Sequence, residues 1–200
     1  MKFKAAVLVK SKSPLIIDEL EIQPIKVGQV LVKIDSSGVC GAQINEIDAV
    51  KGKDGFLPHL LGHEGHGEVL ECGEGVRFVN PGDKVVLHWR KGKGIDSETP
   101  KYLSKRFGTI KAGWVTTFNE CAVVSENRLT VIPQHIEKDQ AALMGCAVTT
   151  ALGTLANDAK VRVGDSIAIF GCGGVGLSLI QFAKLSGCFP IIGIDIYQEK

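Results

Sequence analysis

Short apolar runs separated by turn-forming residues fill the first part of the chain, at residues 3–9, 15–22, 30–36, 67–71, 84–88 and 120–124. They are rich in Val, Ile and Leu and too short for helices, so each predicts a β-strand. Pro24, Gly28, Asn80-Pro81-Gly82-Asp83 and Pro133 punctuate them, residues whose backbone preferences favour turns. Strands of this length and spacing predict a small β-barrel or sandwich. From about Glu137 the texture becomes helical, through Asp139-Gln140-Ala141-Ala142-Leu143-Met144 and residues 147–159, up to a charged turn at 162–165. An apolar strand at 166–170 follows, then Gly171-Cys172-Gly173-Gly174-Val175-Gly176, a helix at 175–185, Gly187, and an apolar strand at 191–194 ending at Asp195. Strand, loop, helix and strand make one βαβ unit of a parallel sheet. The expected fold class is therefore α/β with a β-rich N-terminal domain, divided into residues 1–145 and 146–200.

Composition narrows the class without changing this picture. The chain has 200 residues, 44% hydrophobic and 22% charged, with a net charge of +1, so no global field favours nucleic acid or an anionic membrane. Residues 166–183 are uncharged and approach the length of a membrane span, yet four glycines at their centre split them into strand and helix. The apolar run Ala5-Ala6-Val7-Leu8-Val9 is too short for an export signal. Six cysteines form no Cys-x-x-Cys pair, which argues against a closed four-cysteine zinc lobe and a redox dithiol, and for reduced thiols in the cytoplasm. Six Lys or Arg against two acids between Arg90 and Arg106, with Gly92, Gly94 and Pro100, predict an exposed loop. Such a run ordinarily faces solvent, and its second reading is a site for an anionic group on a substrate or partner.

The candidate chemistry lies in two constellations. Cys40 in Gly38-Val39-Cys40-Gly41, His63 in Gly62-His63-Glu64-Gly65-His66-Gly67, and Cys146 in Gly145-Cys146-Ala147 each stand in a glycine-flanked context where the backbone can approach a metal. Zinc accepts thiolate and imidazole tetrahedrally, and a catalytic site uses three protein ligands with the fourth position open. Cys72, Cys121, Cys172 and Cys188 read as small buried hydrophobes. His66 reads as a packed imidazole, since a fourth ligand would close the site, and His59, His88 and His135 carry no signal. In the second constellation, Gly171, Gly173 and Gly176 follow a strand and open a helix, with Gly174 and Val175 between them and Asp195 placed 19 residues after the last glycine. The first glycine permits a tight turn, the second admits a pyrophosphate, and the third lets helix pack on strand. Asp195 would accept from a ribose 2′-hydroxyl and repel a 2′-phosphate, favouring NAD over NADP. Metal trio and dinucleotide loop together imply metal-assisted hydride transfer.

With these motifs the chain resembles the zinc-dependent alcohol dehydrogenases, the zinc-containing branch of the medium-chain dehydrogenase/reductase family, from its N-terminal strands through Asp195. The resemblance implies a GroES-like catalytic domain over 1–145 and the truncated start of a Rossmann domain over 146–200, because only one βαβ unit is present where a dinucleotide site takes two βαβαβ halves. It implies ligands Cys40, His63 and Cys146, with Glu64 beside the metal as an outer or alternate ligand. It also implies a small alcohol, polyol or matching carbonyl substrate, with homodimers or homotetramers at full length.

Three departures distinguish this chain from the family pattern. Ala42 stands where relatives have a Ser or Thr hydroxyl that passes the substrate's proton outward, and Asn45 where some have a relay His. Gln43 replaces the Asp that orients the zinc-bound His, leaving an amide that can accept a hydrogen bond without charge. The stretch from Trp89 to Phe107 has none of the four cysteines that hold a structural zinc in many relatives, so one zinc per chain is expected. An altered relay also suits transient oxidation followed by elimination or epimerisation. The single βαβ unit also suits a non-catalytic zinc- or nucleotide-binding fragment.

Overall fold

A computed structural model describes residues 1–198. Two compact units divide the chain, one from Met1 to Gly145 and one beginning at Cys146. In the first, β1 (Lys2–Leu8), β2 (Ile16–Ile22), β7 (Lys101–Ser104), β8 (Gly108–Lys111) and β4 (His59–Leu60) close into a barrel. A five-stranded sheet runs in the order β10 (Leu129–Val131), β6 (Lys84–His88), β5 (Glu64–Cys72), β3 (Gln29–Ser37) and β9 (Cys121–Ser125).

Two cores share the central strands of that sheet. Leu31, Cys121 and Val123 join Phe3, Val7, Leu20, Tyr102 and Ile110 in one cluster, while Val30, Val32, Ala122 and Val124 join Val69, Val85 and Leu87 in the other. Successive side chains of a strand point to opposite faces, so β3 and β9 are covered on both sides. That is why they read as continuous apolar runs instead of alternating ones. Burying each such side chain contributes roughly 1.5–3 kcal/mol, which makes these strands the backbone of the unit.

Of the stretch expected as an exposed loop from Arg90 to Arg106, residues 90–100 are irregular and largely exposed as expected, and the structure corrects the part that follows. Lys101–Ser104 forms β7, with Tyr102 fully buried, its ring edge-on to Phe3 at 5.2 Å and its hydroxyl accepting the Val123 N–H at 2.8 Å. Lys101 and Leu103 point outward while Tyr102 and Ser104 point inward, and a count of charges hides that alternation. The preceding segment is also tied down. Ser97 N–H donates to Ser125 Oγ at 2.7 Å, and Gln29 Nε2 donates to the Glu98 carbonyl at 3.0 Å. Glu126, 1% exposed, accepts N–H groups from Ile95 at 2.8 Å, Phe78 at 2.7 Å and Arg77. A short helical turn at Glu126–Arg128 places that carboxylate.

Helix α1 (Gly41–Ile47) and the brief strands β4, β8 and β10 were not legible in the apolar pattern. Helix α2 (Lys138–Leu143) lies on the five-stranded sheet through buried Ala141 and Ala142, pinned by Ser36 Oγ donating to Asp139 Oδ1 at 2.8 Å.

In the second unit α3 (Ala147–Gly153) continues into a wider π-helical stretch, Thr154–Ala159, which ends at Lys160 in the left-handed region, φ 52°. Strands β11 (Ile167–Phe170) and β12 (Ile191–Ile194) pair in parallel, Ile167 opposite Ile191 through Phe170 opposite Ile194, with α4 (Gly174–Leu185) between them in sequence. Leu155, Ala183 and Cys188 form its small core, while Phe170, Phe189 and Ile192 are exposed. No helix among the described residues is long and apolar enough to cross a membrane.

Burial pushes the Glu126 carboxyl up, but the N–H donors of Arg77, Ile95 and Phe78 outweigh it and hold the group below the ordinary glutamate range. A depressed folded-state pKa stabilises fully above the unfolded value of about 4.3 and ceases to do so as the pH falls through the folded value. Glu126→Gln should cost on the order of 3 kcal/mol at neutral pH in urea unfolding, and should flatten the acid limb of the stability profile. An unchanged midpoint and an unchanged acid limb would contradict this role.

Candidate metal centre

Cys40, His63 and Cys146 each lie just beyond or before a rigid element. Cys40 precedes α1, His63 immediately precedes β5, and Cys146 follows α2 through Gly145. Their ligand atoms all lie within 4.8 Å of one another, and each residue is half-buried. For Zn–S near 2.3 Å and Zn–N near 2.0 Å, tetrahedral geometry separates ligand atoms by roughly 3.5–3.8 Å, a spacing that falls inside this bound. Two thiols and an imidazole suit zinc, and partial exposure leaves an approach for a fourth ligand.

Glu64 is the post on which both cysteine loops rest. It is 3% exposed and begins β5, opposite His88 of β6. A Cβ on Gly38 would stand 2.7 Å from the Glu64 carboxyl carbon. One on Gly145 would stand 2.3 Å from the Leu87 carbonyl oxygen and 2.9 Å from the Glu64 Cα. Only a residue without a side chain lets the backbone before Cys40, and that before Cys146, come this close. Gly38 N–H also donates to the Glu64 carbonyl at 3.1 Å.

His63 is oriented from one side by Gln43, a 6% exposed residue of α1 whose Nε2 lies 2.8 Å from His63 Nδ1. Gln43 Oε1 accepts the Gly62 N–H. The acceptor expected to face His63 therefore faces the backbone, and the donor end of the amide meets the ring. Burial pushes the His63 imidazole below its ordinary value, favouring the neutral form that a metal requires.

His66, His88 and His59 serve the scaffold. His66 is 4% exposed with Nδ1 3.4 Å from Asp35 Oδ2, and Lys84 joins Asp35 to Glu68 at 3.3 and 2.8 Å. His88 bonds the Arg90 carbonyl at 2.7 Å and Thr130 Oγ1 at 3.0 Å. His59, which carried no signal in the sequence, is buried between the Leu60 carbonyl at 3.0 Å and Asp54 Oδ2 at 2.7 Å. That pairing depends on a turn that no spacing rule announces. Among the other cysteines, Cys121, Cys172 and Cys188 are buried, Cys72 is half-buried, and all are free thiols.

The glycine loop turns tightly between β11 and α4. Gly171 has φ 94°, and a Cβ on Gly176 would stand 1.8 Å from the Gly171 carbonyl oxygen, so the turn and the first turn of α4 close on each other. Gly173 caps α4, and a Cβ there would meet nothing within 4 Å, leaving room in front of the helix N-terminus. Gly174 and Val175 form the first turn, Val175 exposed. Asp195 Oδ2 accepts the Cys172 N–H at 2.7 Å and Oδ1 the Tyr197 N–H at 3.0 Å. The acid thus latches the loop to the end of β12, a contact its expected role towards a ribose did not foresee.

Comparison with known proteins gives a consistent picture. Residues 26–134 match the alcohol dehydrogenase GroES-like domain family. An S-(hydroxymethyl)glutathione dehydrogenase of Photobacterium damsela subsp. piscicida is 35% identical, and one of Escherichia coli O1:K1 / APEC 34%, each alignment covering all of this chain. The chain spans 60% of the length of these curated relatives. An alcohol dehydrogenase zinc-binding domain protein from Burkholderia ambifaria superposes with TM-score 0.90 at 26% identity, over 100% of this chain and 60% of that one. Benzyl alcohol dehydrogenase from Acinetobacter calcoaceticus shares the fold, with TM-score 0.86 at 23% identity over 100% of this chain and 60% of that one.

Gly145→Ala forces the new Cβ against the Leu87 carbonyl and Glu64. The expected cost is about 1–3 kcal/mol, as for other overpacked sites, together with weaker zinc binding in chelator competition because Cys146 moves with its neighbour. Native zinc affinity in this variant would contradict the close packing as the feature that positions Cys146.

Proposed function

This chain belongs to the zinc-containing medium-chain alcohol dehydrogenase family, and from that premise we propose that its whole protein transfers hydride between an alcohol or polyol, or the matching aldehyde or ketone, and NAD. The convergence of Cys40, His63 and Cys146 within 4.8 Å carries the reading. The thiolates of Cys40 and Cys146 and the neutral imidazole of His63 hold a single zinc, with the stretch from Trp89 to Phe107 kept in place by Glu126 and Ser125 in lieu of a second metal. When bound, zinc supplies Lewis-acid polarisation of the substrate oxygen and NAD supplies or accepts the hydride.

The chain's own residues do the positioning. Glu64 holds both cysteine loops at the distance the trio needs. The N-terminus of α4 beside Gly173 presents backbone N–H groups to a pyrophosphate. We assign the unit beginning at Cys146 to the start of the dinucleotide-binding domain on this basis. Asp195 accepts a ribose hydroxyl beside its own backbone donors, and its charge disfavours a 2′-phosphate. Ala42 has no hydroxyl with which to move a proton, so the substrate's proton leaves by solvent or by another group. Six free thiols accord with a reducing compartment, which we take to be the cytoplasm.

Purified protein should bind one zinc equivalent, and Cys40→Ser or Cys146→Ser should each abolish tight binding. Two equivalents, or retention of zinc by both variants, would overturn the assignment. In the full-length protein, NADH should appear spectroscopically with some member of an alcohol and polyol panel. There Asp195→Ala should shift the NAD over NADP preference by about tenfold, the worth of one hydrogen bond; an unchanged ratio would remove Asp195 from cofactor selection.

A further inference from the structure

The polarity of the Gln43 amide conflicts with the proton that a metal-bound His63 would carry. Gln43 is buried in α1 and touches two groups, the Gly62 N–H through Oε1 and His63 Nδ1 through Nε2 at 2.8 Å. A backbone N–H can only donate, so Gly62 decides which end of the amide is oxygen. Nε2 therefore donates to the ring, Nδ1 accepts, and the proton of the neutral imidazole resides on Nε2.

With Nδ1 facing Gln43, a metal would be met by Nε2. A neutral imidazole that ligates through Nε2 must carry its proton on Nδ1, and metal-bound histidines donate that N–H to a carboxylate, carbonyl or water. Here it would point at an NH2 group, donor against donor. Turning the amide over would satisfy His63 and bring the NH2 group against the Gly62 N–H instead. One amide oxygen cannot serve both donors from opposite ends of the side chain, whereas the two oxygens of a carboxylate can.

We propose that Gln43 is a tautomer latch on His63: it holds the ring in the Nε2–H form, and zinc enters only as the amide turns over and releases the Gly62 N–H. Gln43 is thus a positioning residue that weakens the metal site relative to a carboxylate at the same place. The inference rests on the reading of His63 as a zinc ligand, but its first test does not.

In metal-free protein labelled with 15N, the His63 ring should show the Nε2–H tautomer by long-range nitrogen–proton correlation. The Gly62 amide should be protected from hydrogen exchange, and adding Zn(II) should make it exchange-labile. Gln43→Glu should tighten Zn(II) binding roughly 10- to 100-fold, the range over which partners of ligating histidines act, read by competition with a chromophoric chelator, and should keep Gly62 protected in the zinc form. An Nδ1–H tautomer in the metal-free protein, a Gly62 amide indifferent to zinc, or equal or weaker zinc binding by a folded Gln43→Glu protein would each overturn the latch. If Gln43→Glu does not fold, the wild-type tautomer and Gly62 exchange decide alone. Failure of the wild type to bind zinc at all would strike the metal assignment instead, and the metal-free tautomer would still be measured.

Discussion

Close approach of two backbone segments to Glu64 is the constraint on which the site depends. Cys40 and Cys146 are separated by more than a hundred residues, and Gly38, two residues before the one, and Gly145, directly before the other, lie against the same buried residue of β5. His63 needs no such device, because it is the neighbour of Glu64 in sequence. One strand end therefore indexes all three donors, and the thiols and imidazole converge because their loops share a floor. Preorganisation of this kind would place the proposed ligands on rigid elements before any metal arrives.

That floor is stiff because the sheet beneath it is buried on both sides. Apolar residues of β3 and β9 alternate between two cores, so a shift in register would disrupt both at once. The segment before β7 is tied to the same sheet through the Glu126 carboxylate and the Ser125–Ser97 pair. The second unit is thinner, with its core cluster of Leu155, Ala183 and Cys188 and a two-stranded parallel sheet. Its well-defined features, the glycine turn and the Asp195 latch, are local ones that one βαβ unit can specify alone.

Much of this was legible in the chain. The longer strands, the helix after the glycine loop and the parallel pair were readable because their apolar runs exceed the length of a turn, and Cys40, His63 and Cys146 stood out by ligand chemistry and glycine context. Strands of two to four residues, such as His59–Leu60 and Gly108–Lys111, fall below any periodicity window. The stretch around Tyr102 was misread because its lysines dominate the count while one aromatic ring decides which way the segment faces.

The residue types alone pointed to the kind of chemistry proposed: two thiols and an imidazole for a soft metal, a glycine turn for a phosphate, a carboxylate at a strand end. Those preferences are properties of single side chains and short peptides, so they survive without a fold. Which atom of each group faces which neighbour was decided only by tertiary structure, because it turns on partners distant in the chain. Gln43 reads as an acceptor on paper and becomes a donor to His63 once Gly62 claims its oxygen. Asp195 likewise binds its own glycine loop before it can meet any ligand. Hydrogen-bond direction follows from who stands opposite, and packing alone supplies that.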